Sequence, residues 1–190
     1  NGRFAASQNN FDTTWADEIG DWEAKKDCHP DNFKNVVDAA HDAGAGFLLW
    51  FEIEHATAVT PIFSEHPEYF IQNGDRYMLL DLGNEEAWNY AFNTLCTRFR
   101  EYNVTCYRQD FNTPCDGPWE FADKEGRRGI TEIYHVAGLY RLYDALLAEF
   151  PHLYIDNCAS GGRRMDFEMV KRSVHLYRTD YQCVFNPDPD

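Results

Sequence analysis

Short apolar runs alternate with longer amphipathic stretches along most of the chain. Five apolar runs predict strands, at residues 47–51, 77–80, 104–107, 153–155 and 174–177. Four stretches with apolar residues at helical spacing predict helices, at about 32–43, 85–102, 131–149 and 166–172. Such alternation is typical of an α/β fold with a parallel sheet.

The connections between these elements differ in length and composition. Residues 56–76, with Pro61 and Pro67, are expected to form a long irregular connection, and a loop rich in Pro and Gly is expected up to Gly129. Asn84 is a predicted helix N-cap, since its side chain can accept from the first free amides of the helix.

Each predicted strand ends in polar residues. The acids at these ends are Glu52, Glu54, Asp81, Asp110, Asp156 and Asp180. A (β/α)8 barrel builds its site from the carboxyl ends of many strands, whereas an open doubly wound sheet typically uses one crevice. The pattern therefore favours a TIM-type barrel. Because a full barrel needs eight strands and about 250 residues, residues 1–190 are interpreted as one partial barrel of about five β/α units, with the first and last strands outside the chain.

Charge and composition narrow the possible partners. With 17 basic and 32 acidic residues the formal net charge is -15, which repels nucleic acid and anionic membrane surfaces. A neutral carbohydrate suits this field, and 16% aromatic residues could supply faces for sugar rings, although filling a core is the simpler explanation for any one of them. No run of 18 apolar residues predicts a transmembrane helix.

The six cysteines show no metal-binding or redox spacing. They form no CxxC pair, and no HxH or HExxH motif occurs, so a catalytic metal is not expected. An even number permits disulfides, but scattered cysteines in an α/β pattern favour free thiols and a cytoplasmic location.

Two strand-end aspartates suggest a reaction. Asp110 has Arg108, Gln109 and Asn112 as neighbours, which could keep its carboxylate ionised, and Asp180 ends another predicted strand. Two carboxylates that converge from different strands are what glycoside hydrolysis requires. The pattern alone does not select this pair among the six strand-end acids.

The Gly-rich segment 158–166 follows a predicted strand directly. Ser160-Gly161-Gly162 would let the backbone approach a ligand closely. Two weaker alternatives are a phosphate cradle, whose known glycine spacings are not matched, and a catalytic thiol at Cys158 with His135 or His175 as its base.

Five segments, in order, carry a family resemblance. They are Leu-Trp-Phe-Glu-Ile-Glu at 49–54, Ser-Glu-His-Pro-Glu-Tyr at 64–69, Arg-Gln-Asp-Phe-Asn at 108–112, Asn-Cys-Ala-Ser-Gly-Gly-Arg-Arg-Met-Asp at 157–166, and Tyr-Arg-Thr-Asp at 177–180. Their order and spacing resemble glycoside hydrolase family 36, the melibiase-type α-galactosidases.

The resemblance implies a retaining hydrolase of terminal α-galactosides. It implies that Asp110 is the nucleophile and Asp180 the acid/base. The substrate-binding residues that it implies are Trp50, Arg108, Asn112, Cys158, Gly161 and Arg164. It also implies strands two to six of the barrel, a carbohydrate as the partner, no metal or cofactor, and homo-oligomer contacts, if any, outside this chain.

Departures from the family pattern leave the sugar open. Arg108 stands where the family has Lys, Gln109 where it has Trp, and Arg163 where Gly is common; Ile53 and Thr179 replace Pro and Ser. The acidic pair that reads the galactose C4 and C6 hydroxyls is not in this chain. An α-N-acetylgalactosaminidase, a transglycosylase and a non-catalytic sugar-binding barrel remain alternatives.

Overall fold

The computed structural model describes residues 19–20, 22–72, 77–112 and 116–180. The helices and strands follow one another as α1 (Lys34–Asp42), β1 (Leu48–Phe51), β2 (His55–Thr57), α2 (Pro61–Glu65), a 3-10 turn (Pro67–Tyr69), β3 (Phe70–Ile71), β4 (Tyr77–Leu80), α3 (Glu85–Glu101), β5 (Cys106–Gln109), α4 (Asp116–Ala122), α5 (Ile130–Glu149), β6 (Tyr154–Asn157) and α6 (Phe167–Arg172). The predicted α/β fold with a parallel sheet is confirmed.

The parallel sheet consists of β1, β5 and β6, side by side in chain order. Leu49 lies in register with Tyr107, and Tyr107 with Ile155. A single parallel bridge joins Asp156 to Val174, so the chain after α6 lies along the outer edge of β6. Each later segment of this sheet is therefore added at the same edge, and the strand order does not reverse.

Helices α3 and α5 cover one face of this sheet. Phe51 and Tyr107 are fully buried there, and the Phe99 ring of α3 packs edge-on to Phe51 at 5.8 Å and tilted to Tyr107 at 5.2 Å. On the opposite face the side chains alternate with these: Leu48 and Tyr154 are exposed, at 43% and 68%. Among the described residues, one face of the sheet is a core and the other is largely open.

A second sheet corrects two predictions. Residues 77–80 were expected to form a parallel strand, but β4 pairs antiparallel with both β2 and β3. A parallel connection needs a crossover of about a dozen residues or more, and only five residues separate Ile71 from Tyr77. The segment 56–76 was expected to be irregular, and it instead contains β3, helix α2 and most of β2.

The expectation of five parallel units was also wrong at the last strand. Residues 174–177 form no strand beyond the bridge at Val174, and Leu176 and Tyr177 are more than half exposed. The loop before Gly129 contains the helix α4. The described residues thus hold three parallel strands rather than five.

The helix predictions agree with the structure. The Asn84 side chain accepts from the amides of Glu86 and Ala87 and caps α3, and Asp166 caps α6 in the same way. Within the described part of the chain, no helix is both long and apolar enough to cross a membrane.

Candidate active site

Asp110 follows β5 directly, at the carboxyl end of the parallel sheet. Its Oδ2 accepts a hydrogen bond from the Trp50 indole Nε1 at 3.1 Å. Its Oδ1 accepts from the backbone amides of Phe111 at 2.8 Å and Ser160 at 3.3 Å. The strand ends of β1, β5 and β6 thus all contribute to holding one carboxylate.

These donors set the charge of Asp110. Burial alone would raise the pKa of this carboxyl, but hydrogen bonds from Trp50, Asn112 and the Phe111 amide outweigh burial and hold the pKa below its ordinary value. Asp110 is therefore an anion at neutral pH, which is the state that a nucleophile needs.

Glu52 fixes the segment that follows Asp110. The carboxylate of Glu52 is fully buried and accepts from the Asn112 backbone amide at 2.5 Å and from Asn112 Nδ2 at 3.1 Å. The Ser160 hydroxyl donates to Asn112 Oδ1 at 2.8 Å. Asn112, a predicted substrate contact, is thereby oriented by the end of β1 and by the loop after β6.

A buried charged cluster forms around Glu54. Arg164 donates to both of its oxygens, at 2.6 Å and 2.9 Å, His135 Nε2 lies 2.7 Å from Oε2, and Gln109 Nε2 also donates to it. Burial alone would raise the pKa of Glu54, but the Arg164 charge and the His135 hydrogen bond lower it to about 2. Since Gln109 precedes Asp110, this cluster anchors the strand end that carries the candidate nucleophile.

Arg108 lies on the open face of the sheet. Its guanidinium pairs with the fully buried Asp156 of the neighbouring strand and lies 4.9 Å from the ring centre of Tyr177. Arg108 therefore lies between the carboxylate of Asp156 and the ring of Tyr177, next to the site at the end of β6.

Cys158 lies beside Asp110 in the loop after β6, and its thiol is buried. Burial, together with the Asp110 charge, raises the pKa of this thiol to about 11. His135 is bound to Glu54, and His175 contacts Asn157, so neither is placed as a base for Cys158. A thiolate nucleophile is not supported. Cys28, Cys96, Cys106 and Cys158 are free thiols, as predicted, and Cys115 and Cys183 lie outside the described residues.

Gly161 brings the second aspartate to the same loop. A Cβ at Gly161 would lie 3.0 Å from Thr179 Cα and 3.2 Å from the Asp180 amide nitrogen, and its φ of +83° favours glycine. The Asp180 residue itself is exposed. The backbone of Asp180 therefore packs against Gly161. The residue before Gly161 in the same loop is Ser160, whose backbone amide donates to Asp110.

The sequence-predicted residues are largely brought together. Trp50, Asn112 and Cys158 surround Asp110, while Gly161 adjoins Asp180. The guanidinium of Arg164 is instead directed into the Glu54 cluster. Among the described residues, no group of three His, Cys, Asp or Glu side chains could hold a metal ion.

Four residues make contacts that the sequence did not predict. They are Glu52, Glu54, Gln109 and Arg163. Gln109 was expected to help keep Asp110 ionised, but its amide donates to Glu54 instead. Both glutamates were noted as acids at strand ends. The alternation of strands and helices does not show which of these acids become buried, or which side chains they bind. Arg163 donates to the Phe111 carbonyl at 2.8 Å, a contact between loops that local spacing does not encode.

Comparison with known proteins gives a consistent family. The melibiase family model matches residues 4–184. The α-galactosidase of Escherichia coli is 29% identical over 169 residues, and α-galactosidase 1 of Pediococcus pentosaceus is 27% identical over 171. Each alignment covers 85% of this chain and 23% of the relative, so the chain spans about a quarter of the length of these relatives.

The similar solved structures are also α-galactosidases. The α-galactosidase from Lactobacillus brevis superposes with a TM-score of 0.77 at 23% identity, covering 90% of this chain and 24% of that one. A GH36 α-galactosidase from Geobacillus stearothermophilus in complex with stachyose gives a TM-score of 0.76 at 22% identity, covering 86% and 24%. These likenesses show the fold. Because the family model matches nearly the whole sequence, the chain belongs to the melibiase family.

Proposed function

We propose that the complete protein is a retaining glycoside hydrolase that removes terminal α-linked galactose. The observation that carries this proposal is the setting of Asp110, a part-buried carboxylate kept ionised by Trp50 and by amides from two strand ends. Family membership supports the reaction class, since the relatives are named α-galactosidases.

In the proposed reaction, an Asp110 oxygen attacks the anomeric carbon while Asp180 donates a proton to the departing glycosidic oxygen. A galactosyl ester of Asp110 forms, and the C1–O bond to the aglycone breaks. Asp180, now a carboxylate, takes a proton from water, and the hydroxide displaces Asp110 from the sugar. Two inversions leave the α-configuration unchanged, and no cofactor takes part.

The chain is proposed to be part of a (β/α)8 barrel. Its parallel strands follow one another in chain order without a switch point, and helices cover one face among the described residues. A doubly wound sheet would need both faces covered. In a barrel the open face, with Trp50 and Arg108, becomes the interior, closed by strands outside this chain. The cytoplasmic location and the homo-oligomer stay predictions.

The proposed substrates are small α-galactosides. Raffinose and stachyose are bound in two structures of the Geobacillus stearothermophilus relative, and Cys158 and Gly161 are proposed to lie near the C2 substituent of the sugar. A 2-acetamido group would need space beside the buried Cys158 thiol, so galactose is favoured over N-acetylgalactosamine.

The test is a pair of nitrophenyl substrates, the α-galactoside and the α-N-acetylgalactosaminide, with the complete protein. We expect faster cleavage of the galactoside, and loss of about 10⁴-fold or more in kcat for Asp110→Asn, the scale seen when a nucleophile is removed. Asp38→Asn is the matched control, because Asp38 lies in an exposed ion pair with Lys34. Full activity of Asp110→Asn would refute the mechanism, and preference for the acetamido sugar would refute the substrate.

A further inference from the structure

The loop 159–163, here called the spacer loop, touches both candidate catalytic segments. On one side the Ser160 amide donates to Asp110 Oδ1. On the other side Gly161 adjoins the Thr179–Asp180 backbone, and a Cβ at Gly162 would lie 2.6 Å from the Arg178 carbonyl oxygen. The conformation of this loop therefore sets how the segments of Asp110 and Asp180 lie relative to each other.

The spacer loop has a backbone that needs support. Ser160 has a φ of +47° and Gly161 a φ of +83°, so two consecutive residues are left-handed, and Ser rarely adopts this conformation. Within the loop, the Ala159 amide donates to the Gly161 carbonyl at 2.9 Å. Strained backbone of this kind persists only where the surroundings hold it.

Arg163 supplies such support from a single side chain. Its Nε donates to the Ala159 carbonyl at 2.8 Å, which closes the loop on itself. Its Nη2 donates to the Phe111 carbonyl at 2.8 Å and to Ser160 Oγ at 3.1 Å. The guanidinium thus connects three places: Ala159 at the start of the loop, Ser160 with its positive φ, and Phe111 directly after Asp110.

We propose that Arg163 is a positioning residue, which holds the spacer loop in the conformation that aligns Asp110 with Asp180. It acts through the loop and does not touch the reacting atoms. The proposal rests on the proposed function for its catalytic consequence, but the hold of Arg163 on the loop stands independently. The planar fork of a guanidinium fits this role, because it reaches two carbonyls and a hydroxyl at fixed angles.

The experiment compares Arg163→Ala and Arg163→Lys with the matched control Arg128→Ala in the complete protein. Arg128 is an exposed arginine whose partner, Glu120, is also exposed. One readout is hydrogen exchange of the peptide that contains the spacer loop. The other readouts are kcat and KM for the nitrophenyl α-galactoside, with and without added guanidinium ion.

The proposal expects faster exchange of the spacer loop in Arg163→Ala than in the control. It expects kcat to fall about 10- to 100-fold, the scale of a misplacement near 1 Å, with KM changed less than about threefold. Guanidinium should restore part of kcat in Arg163→Ala, and Arg163→Lys should stay impaired.

Unchanged loop exchange in Arg163→Ala would overturn the proposal. A loss of kcat that guanidinium does not restore and that follows a fall in thermal stability would also overturn it, since it marks a general structural role. If the unaltered protein does not cleave the galactoside while exchange in Arg163→Ala still rises, the proposed function fails and the hold of Arg163 on the loop stands.

Discussion

Replacing Arg164 by Met should destabilise the fold more than the loss of any surface ion pair. The substitution keeps much of the side-chain volume against Phe111, 3.9 Å from the guanidinium carbon to the ring centre, but leaves the fully buried Glu54 without its guanidinium. Removing one partner of a buried pair typically costs about 3–5 kcal/mol, because an uncompensated charge remains.

The lowered pKa of Glu54 gives a separate figure, which is the net effect of burial, Arg164 and His135 on the whole cluster. It lies at about 2 in the folded protein, against 4.5 for an ordinary glutamate. At about 1.4 kcal/mol per pH unit, this difference corresponds to roughly 3 kcal/mol. Because the folded pKa is the lower one, this stabilisation is fully present above about pH 4.5 and is lost as the pH falls toward 2.

The assay is urea unfolding followed by tryptophan fluorescence at pH 7 and pH 3. The matched control is Arg172→Met, since Arg172 also makes a two-pronged pair, with Asp144, whose carboxylate is exposed whereas that of Glu54 is buried. A pair with an exposed partner contributes about 1 kcal/mol or less. At pH 7 we expect Arg164→Met to lower the free energy of unfolding more than Arg172→Met does. At pH 3 the difference between the two variants should be smaller. The double variant Glu54→Gln, Arg164→Met should lose less unfolding free energy than the two single variants lose in sum. Equal losses for the Arg164 and Arg172 variants at pH 7 would refute the reasoning.

Two further predictions concern the surroundings of Asp110. Trp50→Phe removes the indole donor to Asp110 Oδ2, so the pKa of the carboxyl should rise and the acid limb of kcat/KM should move upward by up to about one pH unit; an unchanged limb would contradict the assignment of Asp110 as the ionised group. Iodoacetamide at pH 7.5 should label the exposed Cys28 and spare Cys158, whose thiol has a pKa of about 11; peptide mapping measures both, and prompt labelling of Cys158 would contradict its description as buried and protonated.

The sequence was informative where a signal is local. Asn84 correctly predicted the helix that it caps, and the apolar run before Glu52 correctly predicted the first parallel strand. The strand ending before Asp110 and the Gly-rich turn after Cys158 likewise placed the candidate site at one edge of the sheet.

Pairing partners were not encoded locally. The four apolar residues of Tyr77–Leu80 suit a parallel or an antiparallel strand equally, and only the short connection from Ile71 decides between them. Val174 begins an apolar stretch like any strand, yet it makes one bridge among the described residues. The Glu54 cluster joins residues up to 110 positions apart, so its members could be named from sequence but not paired.

The central claim is that Asp110 becomes covalently bonded to the sugar. Asp180→Ala retains the nucleophile but lacks the base that activates water, so an activated aryl α-galactoside should form the ester faster than water cleaves it. Mass spectrometry of the digested Asp180→Ala protein should find one hexosyl group on the peptide that contains Asp110. A hexosyl group on another carboxylate, or rapid galactoside turnover with no ester on any peptide, would contradict the account.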